Sequence, residues 1–178
     1  MLGDSLSASY GLAQERGWVS LLQQRLKQEK PAYRVVNASI SGDTTSGGLY
    51  RTNALLIQHR PKIVILELGA NDGLRGLALE STRNNLESMI QRAKKSGAKV
   101  LLLGMRIPPN YGATYAEQFH RLFEDLAKKY HLQHQSFFLA PIVGQRGYFQ
   151  TDGLHPTAAA QPLLLNGVWM ELAPMLRP

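Results

Sequence analysis

Lys62-Ile63-Val64-Ile65-Leu66-Glu67-Leu68 runs directly into Gly69-Ala70-Asn71-Asp72. Residues 63–66 are an unbroken apolar run, too apolar for a strand wetted on one face. Such a strand belongs in the middle of a sheet with helices on both sides. The polar, glycine-bearing loop behind it then falls at the carboxyl edge of the sheet, where open α/β folds hold their ligands.

Outward from this strand the pattern alternates. Residues 99–103 read as the next parallel strand, 135–139 as the last, and 33–38 (Tyr-Arg-Val-Val-Asn-Ala) as a short buried one. Between them lie helical spacings. Trp18, Leu21, Leu22 and Leu26 mark a helix over 17–29 that Pro31 stops. Leu49, Leu55, Leu56 and Ile57 mark one over 48–59, ended by Arg60-Pro61. Leu86, Met89, Ile90 and Ala93 face inward over 80–96, with Gly97 as the stop. Phe119, Leu122, Phe123 and Leu126 mark 115–130, and 157–176 is a closing helix interrupted at Pro162. Alternating strands and helices imply right-handed crossovers, hence a three-layer α/β/α sandwich around a central parallel sheet of about five strands. The chain of 178 residues, 44% apolar, fits one domain over 1–178 with one core.

Four polar loops follow from this layout: Gly3-Asp4-Ser5-Leu6-Ser7, Ser41-Gly42-Asp43, Gly69-Ala70-Asn71-Asp72 and Asp152-Gly153-Leu154-His155-Pro156. In a βαβ chain successive strand ends return to one edge, so these loops converge on one crevice. Ser5 is the candidate nucleophile. A serine hydroxyl attacks poorly alone and requires a base, an orienter for that base and donors for a developing oxyanion. His155 supplies the base and Asp152, three residues earlier, the orienter. Each block is weak singly: a serine near a helix start is more often an N-cap, and Asn-Asp is commonly a turn pair. Their conjunction at strand ends is the signal.

The chain resembles the GDSL or SGNH hydrolases, whose name lists Ser, Gly, Asn and His in chain order, here Ser5, Gly42, Asn71 and His155. The stretches 36–44, 68–76 and 106–112 look like the bacterial thioesterase I branch, enzymes described as thioesterases, lysophospholipases and arylesterases. The resemblance implies a flavodoxin-like fold, an oxyanion hole built from the N–H groups of Ser5 and Gly42 with the Asn71 side chain, and a periplasmic or secreted location. It also implies carboxyl esters and acyl thioesters of medium to long chain as substrates, lysophospholipids among them. Leu74, Ile107, Pro108 and Tyr111 are the candidate lining of an acyl groove. Family members begin with a full strand before the Gly-Asp-Ser turn, whereas only Met1 and Leu2 stand here. The expectation is that residues, a signal peptide among them, precede Met1.

The chain has no cysteine, which excludes disulfides, thiolate zinc sites and a cysteine nucleophile. Its net charge of +7 is scattered without a run of five or more. That argues against nucleic acid and leaves at most weak contact with anionic lipid. No apolar stretch approaches the ~18 to 20 residues of a membrane span, and the expected state is a monomer. His59, His120, His131 and His134 show no metal spacing and read as surface or helix-end residues, so neither metal nor cofactor is expected. Asp4, Asp43 and Asp72 read as loop braces. Two other readings stand beside the esterase: a carbohydrate deacetylase with the same catalytic set, and a non-catalytic small-ligand binder that would not need His155.

Overall fold

The structure, a computed structural model, describes residues 1–176; Arg177 and Pro178, the last two of the expected domain, lie outside the described residues. Ile63–Glu67 forms β2, flanked by β1 (Leu2–Gly3) and β3 (Lys99–Leu103), and β4 (Gln133–Gln135) completes the order β1-β2-β3-β4. All pairings are parallel, with Leu2 opposite Leu66, Gly3 opposite Glu67 and Leu66 opposite Leu102. The run 63–66 is mid-sheet because both its neighbours are paired to it. Six helices pack around it: α1 (Trp18–Glu29), α2 (Thr45–His59), α3 (Ala70–Leu74), α4 (Leu79–Lys95), α5 (Ala113–Tyr130) and α6 (Gln161–Leu172). α1 packs on α6, while α2, α4 and α5 pack side by side, and both groups reach β3. The buried stripes are those that the spacing predicts, such as Leu86, Met89, Ile90 and Ala93 on α4. They close a core that includes Trp18, Phe119, Phe123 and Phe138.

The sheet has four strands where about five were expected. Residues 33–38 run beside β1 without forming a strand: the Met1 ammonium donates to Val36 O (2.8 Å), Ala38 N–H to Met1 O (2.9 Å) and Ile40 N–H to Gly3 O (3.1 Å). β1 there spans Leu2–Gly3, and the three contacts do not amount to a ladder. The last strand is likewise displaced, to Gln133–Gln135 rather than 135–139. Gly104 ends β3, and its carbonyl accepts from Phe138 N–H (2.8 Å), folding the apolar pair Phe137-Phe138 inward as a turn. Pro162 begins α6 instead of interrupting a longer helix, because the first turn needs no N–H from it. α2 starts three residues earlier than the apolar spacing indicates, with the Thr44 side chain accepting from Gly47 N–H (3.4 Å). No helix among the described residues is long and apolar enough to cross a membrane.

Candidate active site

β1 ends at Gly3 and the chain turns at once. Asp4 O accepts from Ser7 N–H (3.2 Å) and Ala8 N–H (3.0 Å), and Asp4 Oδ1 accepts from Leu6 N–H (3.0 Å). This Asx-type closure holds Ser5 at the crest of the turn with Asp4 fully buried beneath it. The N–H groups of Ser5 and Gly42 face no acceptor among the described residues.

The second wall of the site is the loop between the one-turn helix Arg146–Tyr148 and α6. An antiparallel bridge joins Phe149 to Pro156, Gln150 N–H donates to His155 O (2.8 Å), and Gly153 takes φ +71° near the tip. Within this loop Asp152 Oδ1 accepts from Leu154 N–H (2.9 Å) and His155 N–H (3.0 Å). Its Oδ2 lies 2.7 Å from His155 Nδ1, and His155 Nε2 lies 2.8 Å from Ser5 Oγ. The backbone N–H groups of His155 and Leu154, and then the imidazole, pull the Asp152 carboxyl down to about 2. It is therefore ionised at neutral pH, keeps a proton on Nδ1 and leaves the Nε2 lone pair facing the serine hydroxyl. The Tyr10 ring packs on the imidazole, centroids 4.3 Å apart. Gln150 Nε2 donates to Tyr10 O (2.9 Å) and Pro156 O (3.0 Å), bracing both sides of that stack.

Asn71 stands at the start of α3, behind Gly69, whose φ of +120° turns the chain off the end of β2. Its Nδ2 donates to Asp4 Oδ2 (3.1 Å) and to Asp43 O (2.9 Å). One amide thus ties the Ser5 turn to the turn that carries Gly42, at φ +78°. The three aspartates brace these loops as expected. Asp43 is clamped by Arg51 (Nη2 to Oδ2, 2.7 Å), and Asp72 accepts from Thr45 N–H (2.9 Å) and Thr45 Oγ1 (2.5 Å). Burial pushes Asp4 up to about 6, opposed by the bonds from Leu6, Glu67 and Asn71.

A cleft of ≈ 630 Å³ opens beside Ser5 and His155, the size of a small-molecule pocket. Leu74, Ile107 and Pro108 line it, with Met105, Phe137 and Leu139 among the others; Tyr111 does not. Tyr111 sits in the one-turn helix Pro109–Tyr111 and projects outward, 43% exposed. The contribution of Phe137 and Leu139 escaped the sequence because 135–139 read as a strand. His120 corrects the reading of all four spare histidines as surface or helix-end groups: it is buried in α5, its Nε2 accepting from Arg106 Nη2 (2.8 Å). No group of three or more metal-ligating side chains is found among the described residues.

The fold and this site together define a serine hydrolase of the α/β/α type, with the candidate nucleophile Ser5 and the candidate base His155 at opposite ends of the chain. Residues 1–162 match the GDSL-like Lipase/Acylhydrolase family, and the chain belongs to it. It is 52% identical over 176 residues to Esterase TesA of Pseudomonas aeruginosa, covering 99% of this chain and 88% of that one. To Thioesterase 1/protease 1/lysophospholipase L1 of Escherichia coli strain K12 it is 40% identical over 176 residues, covering 99% and 83%. The structure of the psychrotrophic esterase EstA from Pseudoalteromonas sp., inhibited by monoethylphosphonate, superposes with a TM-score of 0.93 at 40% identity, covering 98% of this chain and 96% of that one.

Proposed function

We propose that this enzyme hydrolyses carboxylic esters and acyl thioesters through an acyl-enzyme on Ser5. The observation that carries the reading is the relay Asp152 Oδ2 to His155 Nδ1 (2.7 Å) and His155 Nε2 to Ser5 Oγ (2.8 Å). Ser5 Oγ attacks the acyl carbon as its proton passes to Nε2. The carbon–oxygen or carbon–sulfur bond then breaks, and the imidazolium returns the proton to the leaving alcohol or thiol. Water enters by the same route and its oxygen bonds to the acyl carbon as Nε2 takes its proton; the acyl–Ser5 bond then breaks, the imidazolium returns that proton to Ser5 Oγ, and the acid leaves. Asp152 holds the tautomer throughout. The N–H groups of Ser5 and Gly42 meet the oxyanion. Asn71 joins them by turning one amide hydrogen from Asp4 or Asp43 toward the substrate. No cofactor enters any step.

The apolar cleft favours an acyl chain over an acetyl group, which needs little room; this, with the names of the relatives, sets the esterase reading above a carbohydrate deacetylase. Leu74, Ile107 and Pro108 would contact the chain, Tyr111 the outer loop. Lysophospholipids fit the same description, with contact to anionic lipid limited to what scattered positive charge provides. The proposed protein is a single-domain monomer of the periplasm or exterior, a placement that rests on the family resemblance. Purified protein assayed on esters and acyl-CoA thioesters of increasing chain length should prefer octanoyl or longer chains over acetyl, and Ser5→Ala should remove the activity. Release of acetate from acetylated sugars exceeding octanoyl ester hydrolysis would reverse the assignment.

A further inference from the structure

Glu67 ends β2 with its carboxyl wholly buried, one residue across the ladder from Gly3. Its Oε2 accepts from Asp4 N–H (3.2 Å) and from Ser7 Oγ (2.6 Å), so it grips the Ser5 turn on both sides of the nucleophile. Room for it exists because residue 3 is glycine: a Cβ there would stand 2.6 Å from Glu67 Oε2. The small residue of the Gly-Asp-Ser turn is thus explained by what lies beneath it.

Two carboxyl groups meet here, Asp4 and Glu67, both fully buried, and two like charges so placed cannot both ionise. The donors decide which one keeps the proton. Asp4 Oδ1 receives Leu6 N–H (3.0 Å) and Asp4 Oδ2 receives Asn71 Nδ2 (3.1 Å), so each oxygen of its carboxylate is met. Glu67 Oε1 has no hydrogen-bond partner among the described residues, while the two side chains are in hydrogen-bond contact with each other. The nearby cation does not neutralise it: Arg51, on α2, is taken by Asp43 and by the carbonyls of Ala38 and Gly3. The Met1 ammonium is bound to Val36 O, and His155 is the titratable group that acts on Asp4 from the side of the site. From the neighbouring segment only the neutral Ser39 approaches.

We propose that Glu67 is a positioning residue for ester hydrolysis, a neutral acid that hands its hydrogen to Asp4 and pins the turn carrying Ser5 to the end of β2. Burial and the charge of Asp4 both hold the Glu67 carboxyl well above the usual range, in agreement with that geometry. By sharing its proton, Glu67 also softens the Asp4 charge that competes for the Asn71 amide. The inference rests on the acyl-enzyme reading and extends it to the layer below the nucleophile.

Three measurements on the full chain test it. Infrared spectra at about pH 8, above the ordinary carboxylate range, should hold a protonated-carboxyl stretching band that Glu67→Gln removes; no such band overturns the neutral acid. Glu67→Gln, which can still donate to Asp4 and accept from Ser7, should keep kcat within about 3-fold, whereas Glu67→Leu should lower kcat about 10²-fold with KM little changed, the cost of a nucleophile displaced by about 1 Å. A leucine variant with wild-type kcat overturns the positioning role. Should that variant not fold, Ser7→Ala removes one tether and carries the same expectation, with wild-type kcat again overturning it. Fluorophosphonate labelling of wild-type Ser5 separates the two failures: no labelling defeats the acyl-enzyme reading, while labelling with an unaffected leucine variant defeats only the role of Glu67.

Discussion

A hydroxyl becomes a nucleophile when its proton has a destination. In the proposed relay the destination of the Ser5 proton is a lone pair 2.8 Å away on a ring whose other nitrogen faces an ionised carboxylate. Asp152→Asn should therefore lower kcat by about 10²- to 10⁴-fold by favouring the wrong tautomer, measured on an octanoyl ester and expressed per folded molecule. Asn71→Ala should cost about 10²- to 10³-fold in kcat, the usual loss of one oxyanion donor. Tyr10 stacks on the imidazole at 4.3 Å and favours the imidazolium that forms during attack. An exposed cation–π contact of about 0.5 to 1 kcal/mol makes Tyr10→Ala about 2- to 5-fold slower in kcat/KM. Ser5, Gly42, Asn71, Asp152 and His155 could be singled out as candidates because each stands in a short motif whose residue types match a chemical need, and the structure brings Ser5, Asp152 and His155 within hydrogen-bond reach. Tyr10 and Glu67 were not. A tyrosine in a polar loop and a glutamate at the end of an apolar strand carry no signal until the fold sets one on the imidazole and the other under the turn.

The same contrast holds for the elements. Helical stripes and the 63–66 run were legible because burial forces a period on the sequence, as the fully buried Leu86 and Ile90 illustrate. The segments 33–38 and 135–139 satisfied strand composition, yet a strand is defined by the ladder that it forms with a neighbour, and that is a tertiary fact. Gly104 is where the second of these segments is settled. A Cβ on it would collide with the backbone carbonyl of Ser136, and backbone cannot move aside as a flexible side chain can. Gly104→Ala should destabilise the protein by about 1 to 3 kcal/mol through overpacking, read as a lower urea midpoint with activity per folded molecule retained. A midpoint equal to wild type would mean that β4 packs less tightly on β3 than the structure has it.

Across the whole molecule, the buried carboxyl pair links the site to stability. Asp4 is raised from 3.8 to about 6, so the native state binds the extra proton between those values. Its contribution to stability is present at low pH and is lost as pH rises through about 6. Asp152 runs the other way, contributing above its unfolded value of 3.8 and losing that contribution as pH falls toward 2. Asp4→Asn removes the first term only. The Tm of Asp4→Asn minus that of wild type should grow between pH 3.8 and 6, and a difference constant across that range would remove Asp4 from the linkage. The measurement that bears most directly on the account is covalent. Purified protein treated with a fluorophosphonate should gain the mass of one adduct, mapped to Ser5 and nearly absent in His155→Ala. Folded wild-type protein that takes no adduct, or takes it on another residue, would contradict the account.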